Sequence, residues 1–217
     1  MANSTLPEHH VTRVKVAGWN VCEVPRIPPP EEKEDLVHPH FRDQYTKIAI
    51  WSWEVYDAVV YLDADCLVTG DLSELFTLST PFAGVHDWMA GRFQQHMNFG
   101  AFTLQPSLRK FRYLMEMRVS FVDYEPVQEQ QFFYAIKEPW TALPPGYNAN
   151  LAIFQQNPGL WAAMVSRDEI RVIHYTVSKP FSRNDSPHKD ILAYPLEYWK
   201  FQYHEYKRSL EVRTVEL

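Results

Sequence analysis

The stretch Ala58 to Gly70, AVVYLDADCLVTG, constrains this chain more than any other. Val59 to Leu62 form a short apolar run that meets Asp63-Ala64-Asp65. A run of this kind, rich in β-branched residues and cut off by polar ones, predicts a buried strand of the parallel type. Such strands carry whatever follows them to the carboxyl edge of a sheet, where α/β folds place ligands. If the backbone stays extended, Asp63 and Asp65 share a face and Ala64 takes the other. Two poorly solvated carboxylates side by side repel each other unless a cation lies between them. Oxygen ligands suit Mg²⁺ or Mn²⁺. A bare Asp-x-Asp is commonly no more than two solvated carboxylates at a strand end, so the rest of the chain has to decide.

Strands and helices alternate through that rest, which predicts an α/β architecture with a mixed central sheet flanked by helices. Val14 to Val24 reads as one or two short strands broken at Gly18, and the Pro-rich acidic stretch from Pro25 to Pro39 as a surface loop. Phe41 to Tyr56 has apolar residues near helical spacing, with Lys47 among them. Asp71 stands where it would cap a short helix that turns Leu72, Leu75 and Phe76 inward. Phe82 to Val85 reads as a strand and His86 to His96 as a polar, aromatic loop. Met97 to Leu104 reads as a strand with Gly100 inside it, and a glycine there marks a bulge or a close approach to the backbone. Ser107 predicts the cap of a helix reaching about Phe121, and Glu129-Gln130 the first turn of another. Trp140 to Leu143 is strand-like, Pro144 to Asn148 a turn, and Ile170 to Tyr175 a strand ending in His174. Residues 195–208 read as an aromatic helix. Residues 1–10 and about 209–217 read as loose. No repeat or linker divides the chain, so 1–217 reads as a single domain.

Polar residues therefore recur at strand ends: Asp63, Asp65, Asn98 and His174. Asn98 could bond hydroxyls or satisfy a turn. His174 is the one nitrogen ligand placed like the acid pair. Two acids and a histidine around a divalent cation, with a lysine nearby, make a site for a diphosphate. The cation bridges phosphate oxygens and stabilises the charge that develops on a leaving diphosphate. This chemistry does not choose the group transferred.

Composition narrows the field further. Net charge is −6 with no basic block, which argues against nucleic acid as a partner. Cys22 and Cys66 make neither a disulfide framework nor a zinc set. No apolar run approaches the ~20 residues that span a bilayer. The first ten residues lack the basic start and apolar core of a signal peptide, so the chain reads as soluble and cytoplasmic, with no membrane segment. Aromatics at 15% suit a sugar-binding cleft and equally suit a core.

Five segments, in this order, carry a resemblance: TKIAIWSWEVYDAVVYLDADCLV, the DLSELF after it, MNFGAFTLQPS, EQQFF with LPPGYN behind it, and VIHYTVSKPF. Together they resemble the glycogenin-like retaining glycosyltransferases of glycosyltransferase family 8, over about Phe41 to Tyr206. The resemblance implies a GT-A-type nucleotide-diphospho-sugar transferase fold, a UDP-sugar donor, Mn²⁺ (or Mg²⁺), and a carbohydrate or protein acceptor. It implies Asp63, Asp65 and His174 as metal ligands. Lys47, Lys179 and Asp63 would bind the donor, and Asn98, Glu129 and Gln130 would lie at the transferred sugar. Relative to the family pattern the chain reads as N-terminally shortened, lacking the usual strand and helix that hold the nucleotide base. Glu129 also replaces a common Asp, Phe181 a common Trp, and Val177 a frequent glycine. A homodimer is compatible with this reading, although no residue argues for one.

Two other functions compete. Phosphatases of the haloacid-dehalogenase type also follow an apolar strand with Asp-x-Asp, but on their opening strand. Here nearly 60 residues precede it, and Asp168-Glu169 comes before its strand instead of after. A non-catalytic, truncated family member acting as a binding or partner module is the other alternative, since the front end that would hold the nucleotide is missing.

Overall fold

Glu8 in the first turn and Arg13 and Lys15 in the last suit the two ends of a helix dipole, and Glu8–Val16 forms a helix, α1. Val14 and Val16 therefore lie on a helix and not on the expected strand. Gly18, at φ +89°, takes the left-handed conformation that lets the chain turn away from the helix end. The structure, a computed structural model, describes residues 2–3, 6–31, 34–120, 129–181 and 191–215. Its contacts group into two compact units.

The first unit comprises Met1–Val59, Ser79–Phe82 and Leu104–Trp140. Here β1 (Ala2–Asn3) pairs in parallel with β2 (Glu23–Val24). The expected helix from Phe41 to Tyr56 is instead 3₁₀ over Pro39–Phe41 and Gln44–Ser52. Tyr45 through Trp51 are all buried, so the segment has no solvent face for an amphipathic helix to present. Trp51 meets Phe82 edge-on at 5.3 Å and stacks on Phe133 at 5.4 Å. Its carbonyl accepts from the N–H of Ser107 at 2.8 Å. Ser107 in turn caps α2 (Leu108–Ser120), its Oγ accepting from Lys110 N–H at 3.3 Å. Phe121, the expected end of that helix, lies outside the described residues. α3 spans Glu129–Ala135.

The second unit comprises Val60–Leu78, Ala83–Thr103 and Thr141–Leu217. The apolar run becomes β3 (Val59–Leu62), and β4 (Cys66–Val68) follows directly. Asp71 accepts from the N–H and hydroxyl of Ser73 at the start of a 3₁₀ turn, Ser73–Phe76. That turn buries Leu75 but leaves Phe76 exposed, contrary to expectation. The stretch expected as a loop, His86 to His96, is the tip of a hairpin between β5 (Phe82–Met89) and β6 (Arg92–Leu104). Ala90 and Gly91 both have positive φ, 53° and 76°, which matches the twist of a two-residue hairpin turn. The aromatic and polar residues at the tip pair across the strands. Trp88 sits edge-on to Phe93 at 4.9 Å, and His86 Nδ1 bonds the carbonyl of Gln94 at 2.7 Å.

One sheet has the order β3-β6-β5-β7, with β7 (Thr141–Ala142) parallel to β5. The other has the order β4-β9-β8, in which β9 (Val172–His174) is central. It pairs antiparallel with β4 and parallel with β8 (Ala149–Asn150), so His174 lies opposite both Cys66 and Asn150. A core of Leu151, Ile153, Trp161, Met164, Ile173, Tyr175 and Leu196 packs there. It is supplied by β9 and its flank and by α4 (Leu151–Gln156), α5 (Pro158–Ser166) and α6 (Ala193–Val215). Asn157 caps α5 by accepting from Leu160 N–H at 3.0 Å. α6 runs on past residue 208 to Val215, so the stretch expected as loose from about 209 is helical as far as the described residues go.

Candidate functional site

β3 ends one residue before Asp63, whose N–H donates to the carbonyl of Gly100 at 2.7 Å and so prolongs the pairing with β6. The backbone then turns: Cys66 N–H donates to the carbonyl of Asp63 at 3.0 Å. The extended geometry assumed for Asp63-Ala64-Asp65 is thus broken, because the chain must leave one sheet and enter the other within three residues. The two carboxylates have different partners. Asp63 keeps the face of Tyr61, two residues earlier, and its Oδ1 accepts from the Tyr61 hydroxyl at 2.6 Å. Tyr61 is itself stacked on Phe102, with ring centroids 4.9 Å apart. Asp65 faces β9. Its carbonyl accepts from Tyr175 N–H at 3.0 Å, and its Oδ1 lies 3.4 Å from His174 Nε2.

Lys179 completes this corner, its Nζ donating to Asp65 Oδ2 and to the carbonyl of Tyr175. Burial disfavours the ionised form of Asp65, but the contacts with His174, and then Lys179, outweigh it and hold the carboxyl well below the usual range. The half-buried Asp65 carboxylate thus lies between two nitrogen groups. Asp65, Cys66 and His174 offer ligand atoms that all lie within 4.8 Å of one another. Carboxylate oxygen and imidazole nitrogen suit a divalent cation such as Mn²⁺. Cys66 points its thiol at the carbonyl of Gly100, 3.4 Å away. The donor set that fits the implied metal is therefore Asp65 and His174. Asp63 stands outside this converging trio.

Asn98 is buried on β6 and bonded on every side. Its Nδ2 donates to Asp87 Oδ1 at 2.9 Å, and its Oδ1 accepts from Gly100 N–H at 3.0 Å and from Asn148 Nδ2 at 2.9 Å. Asp87, on β5, also faces His96 Nε2 at 3.4 Å and accepts from Trp88 N–H at 2.9 Å. Burial pushes the Asp87 carboxyl up, and the neighbouring His96 imidazole and the bond from Asn98 bring it below its ordinary value. Gly100 is needed for packing: a Cβ built on it would overlap the imidazole of His174.

The structure thus gathers Asp63, Asp65, Asn98, His174 and Lys179 in the second unit. Lys47, Glu129 and Gln130 belong to the first. Lys47 is buried in the 3₁₀ segment, and Glu129 and Gln130 open α3, where Gln130 is buried. Asp87, His96 and Asn148 are polar members of the site that sequence reasoning missed. Asp87 and His96 lay in the supposed loop. Asn148 was visible only as the last residue of the LPPGYN turn.

The profile of glycosyl transferase family 8 matches residues 3–185. The chain belongs to that family. Galactinol synthase 2 of Arabidopsis thaliana is 25% identical over 248 residues, covering 97% of this chain and 72% of that protein. Galactinol synthase 1 of Ajuga reptans is 26% identical over 212 residues, covering 81% of this chain and 61% of that protein. This family 8 chain therefore spans between three-fifths and three-quarters of the length of those relatives. Among solved structures, the glycosyltransferase GlyE of Streptococcus pneumoniae TIGR4 superposes with a TM-score of 0.59 at 16% identity, over 97% of this chain and 55% of that one. The bifunctional glycosyltransferase WbbM superposes with a TM-score of 0.52 at 16% identity, over 76% and 37%. These likenesses give the family 8 chain the GT-A fold. GT-A glycosyltransferases typically use a divalent metal and a nucleotide sugar, and family membership implies such a donor and an acceptor. Among the described residues, no helix is long and apolar enough to cross a membrane.

Proposed function

We propose that this chain transfers a hexose from a UDP-sugar to an acceptor with retention of configuration, in a Mn²⁺-dependent reaction. The observation that carries the reading is the convergence of Asp65 and His174 across the β4–β9 register, in a member of glycosyl transferase family 8. Asp65 and His174 would hold the cation. We assign Asp63 to it as well on the family resemblance alone, its carboxylate standing outside the group formed by Asp65, Cys66 and His174. Held there, a divalent cation would supply positive charge against the negative charge that grows on a leaving diphosphate.

The chain's own groups do the rest. Lys179, whose Nζ rests on Asp65 and on the carbonyl of Tyr175, is a second positive charge for the diphosphate, and Lys47 is assigned to the donor too. Asn98, Glu129 and Gln130 are assigned to the transferred sugar, Asn98 being held in place by Asp87, Gly100 and Asn148. Carboxylate charge at Glu129 would support an oxocarbenium-like state by electrostatics. The relatives named as galactinol synthases make galactinol the first product to assay.

The test is calorimetric titration of UDP into the protein with Mn²⁺ and again with EDTA, followed by a donor-hydrolysis screen across UDP-sugars. Binding that needs the metal, and turnover of one UDP-hexose, are the expected results. UDP binding of equal strength in EDTA would remove the diphosphate-bridging role, and a folded protein that binds no nucleotide would remove the transferase reading.

A further inference from the structure

We propose that Asn148 is a positioning residue that fixes His174 as the Nδ1–H tautomer, leaving Nε2 as the nitrogen presented to Asp65 and to a metal. The metal half of this statement rests on the proposed function above; the tautomer half does not.

The inference follows from a buried chain of side chains whose two ends admit only one polarity. Asp87, Asn98, Asn148 and His174 are between 1% and 9% exposed, so water does not compete for their bonds. At one end, the backbone N–H of Gly100 is an obligate donor, so the Asn98 atom 3.0 Å from it is the oxygen. The other arm of that amide faces the Asp87 carboxylate at 2.9 Å, an acceptor, and is therefore the nitrogen. Both observations orient Asn98 the same way. Its oxygen then requires a donor from Asn148, 2.9 Å away, and the Asn98 carbonyl, 3.4 Å away, requires the same. Asn148 must turn its nitrogen to Asn98 and its oxygen to His174.

That oxygen lies 3.0 Å from His174 Nδ1. An amide oxygen only accepts, so Nδ1 carries a proton. Nδ1 is thus committed to Asn148 whatever the charge of the ring, and Nε2, 3.4 Å from Asp65 Oδ1, is the nitrogen left to turn a proton to that carboxylate when the ring is charged or a lone pair to a metal when it is neutral. The bond made by one ring nitrogen thus decides what the other can do. An unrestrained histidine side chain prefers the opposite tautomer, so the preference has to be imposed, and Asn148 is placed to impose it. The turn that carries Asn148 is fixed to β9 as well. Arg171 N–H donates to the carbonyl of Gly146 at 2.8 Å, and a Cβ on Gly146 would overlap the backbone of Glu169.

The experiment is a long-range ¹H–¹⁵N correlation spectrum of metal-free, ¹⁵N-histidine-labelled protein, recorded above the imidazole titration range. The chain has 9 histidines, and His174 is assigned by the loss of its signals in His174→Gln. The expected pattern for His174 is a pyrrole-type Nδ1 and a pyridine-type Nε2; the reverse pattern overturns the proposal. Asn148→Leu, of similar shape but without the acceptor, should lose that pattern and weaken Mn²⁺ binding, read by electron paramagnetic resonance, about 10- to 100-fold. A folded Asn148→Leu protein with pattern and Mn²⁺ affinity unchanged overturns it too. Asn148→Asp keeps an acceptor against Nδ1 and should keep the pattern; an Nε2–H ring in that variant counts against the proposal. If the wild type shows the Nδ1–H ring but binds no Mn²⁺, the positioning role stands and the metal reading of the proposed function fails.

Discussion

Gly100 lies against the imidazole of His174, so close that a single added methyl group would occupy the space of the ring. The backbone of β6 is therefore the wall that sets the plane of the ring, as the amide of Asn148 sets its polarity. Gly100 also donates to Asn98 and accepts from Asp63 and Cys66, so one residue without a side chain ties together four members of the site.

Gly100→Ala should force His174 away from Asp65. The expected cost is about 1–3 kcal/mol of stability from overpacking, read in urea denaturation. Mn²⁺-dependent UDP binding should fall with it. Retention of full metal-dependent binding would show that the ring position is not required.

Asp65 and Cys66 are neighbours that make opposite predictions. Asp65→Asn removes the anion between Lys179 and His174 and should weaken Mn²⁺ binding at least tenfold. Cys66→Ser keeps a donor for the carbonyl of Gly100 and should bind Mn²⁺ as the wild type does, when both are titrated by calorimetry. Loss of binding in Cys66→Ser alone would make the sulfur a ligand.

Asp87 makes stability depend on pH. Its folded carboxyl is held below the unfolded value of about 3.9, so the unfolded chain binds the proton more readily. The stabilisation is fully present above that unfolded value and is lost as pH falls through the folded one. Urea midpoints measured from neutral pH downward should drop more steeply in the wild type than in Asp87→Asn. Parallel curves for the two proteins would mean that Asp87 contributes nothing to the slope.

Ala90 holds φ 53° at the tip of the β5–β6 hairpin, a conformation that costs a side-chain-bearing residue about 1–2 kcal/mol. Ala90→Gly should stabilise the protein by roughly 0.5–1 kcal/mol, since glycine's extra freedom in the unfolded chain takes back part of the relief. Thermal denaturation reads this directly, and a lower melting temperature in the variant would contradict it.

Local pattern alone determined the parts of this protein that depend on near neighbours. Val59 to Leu62 had to be a strand, Ser107 had to begin a helix, and the candidate residues Asp63, Asp65 and His174 stood out because each ends an apolar run. Pattern failed where one residue's meaning depends on a distant partner. His86 to His96 looked like a loop because its aromatic and polar residues find their partners only across the hairpin. Asn148 looked like a turn residue because nothing near it in sequence shows that His174 and Asn98 flank its amide. The turn at Asp63 to Cys66 moved Asp65 out of line with Asp63, put Cys66 in register with His174 and Asp65 beside Tyr175, and set the Asp65 carboxylate against Lys179, 114 positions along the chain. A carboxylate or an amide has the same intrinsic chemistry wherever it occurs. Which donors, acceptors and charges surround it is decided by strand register, and register is a property of the folded chain.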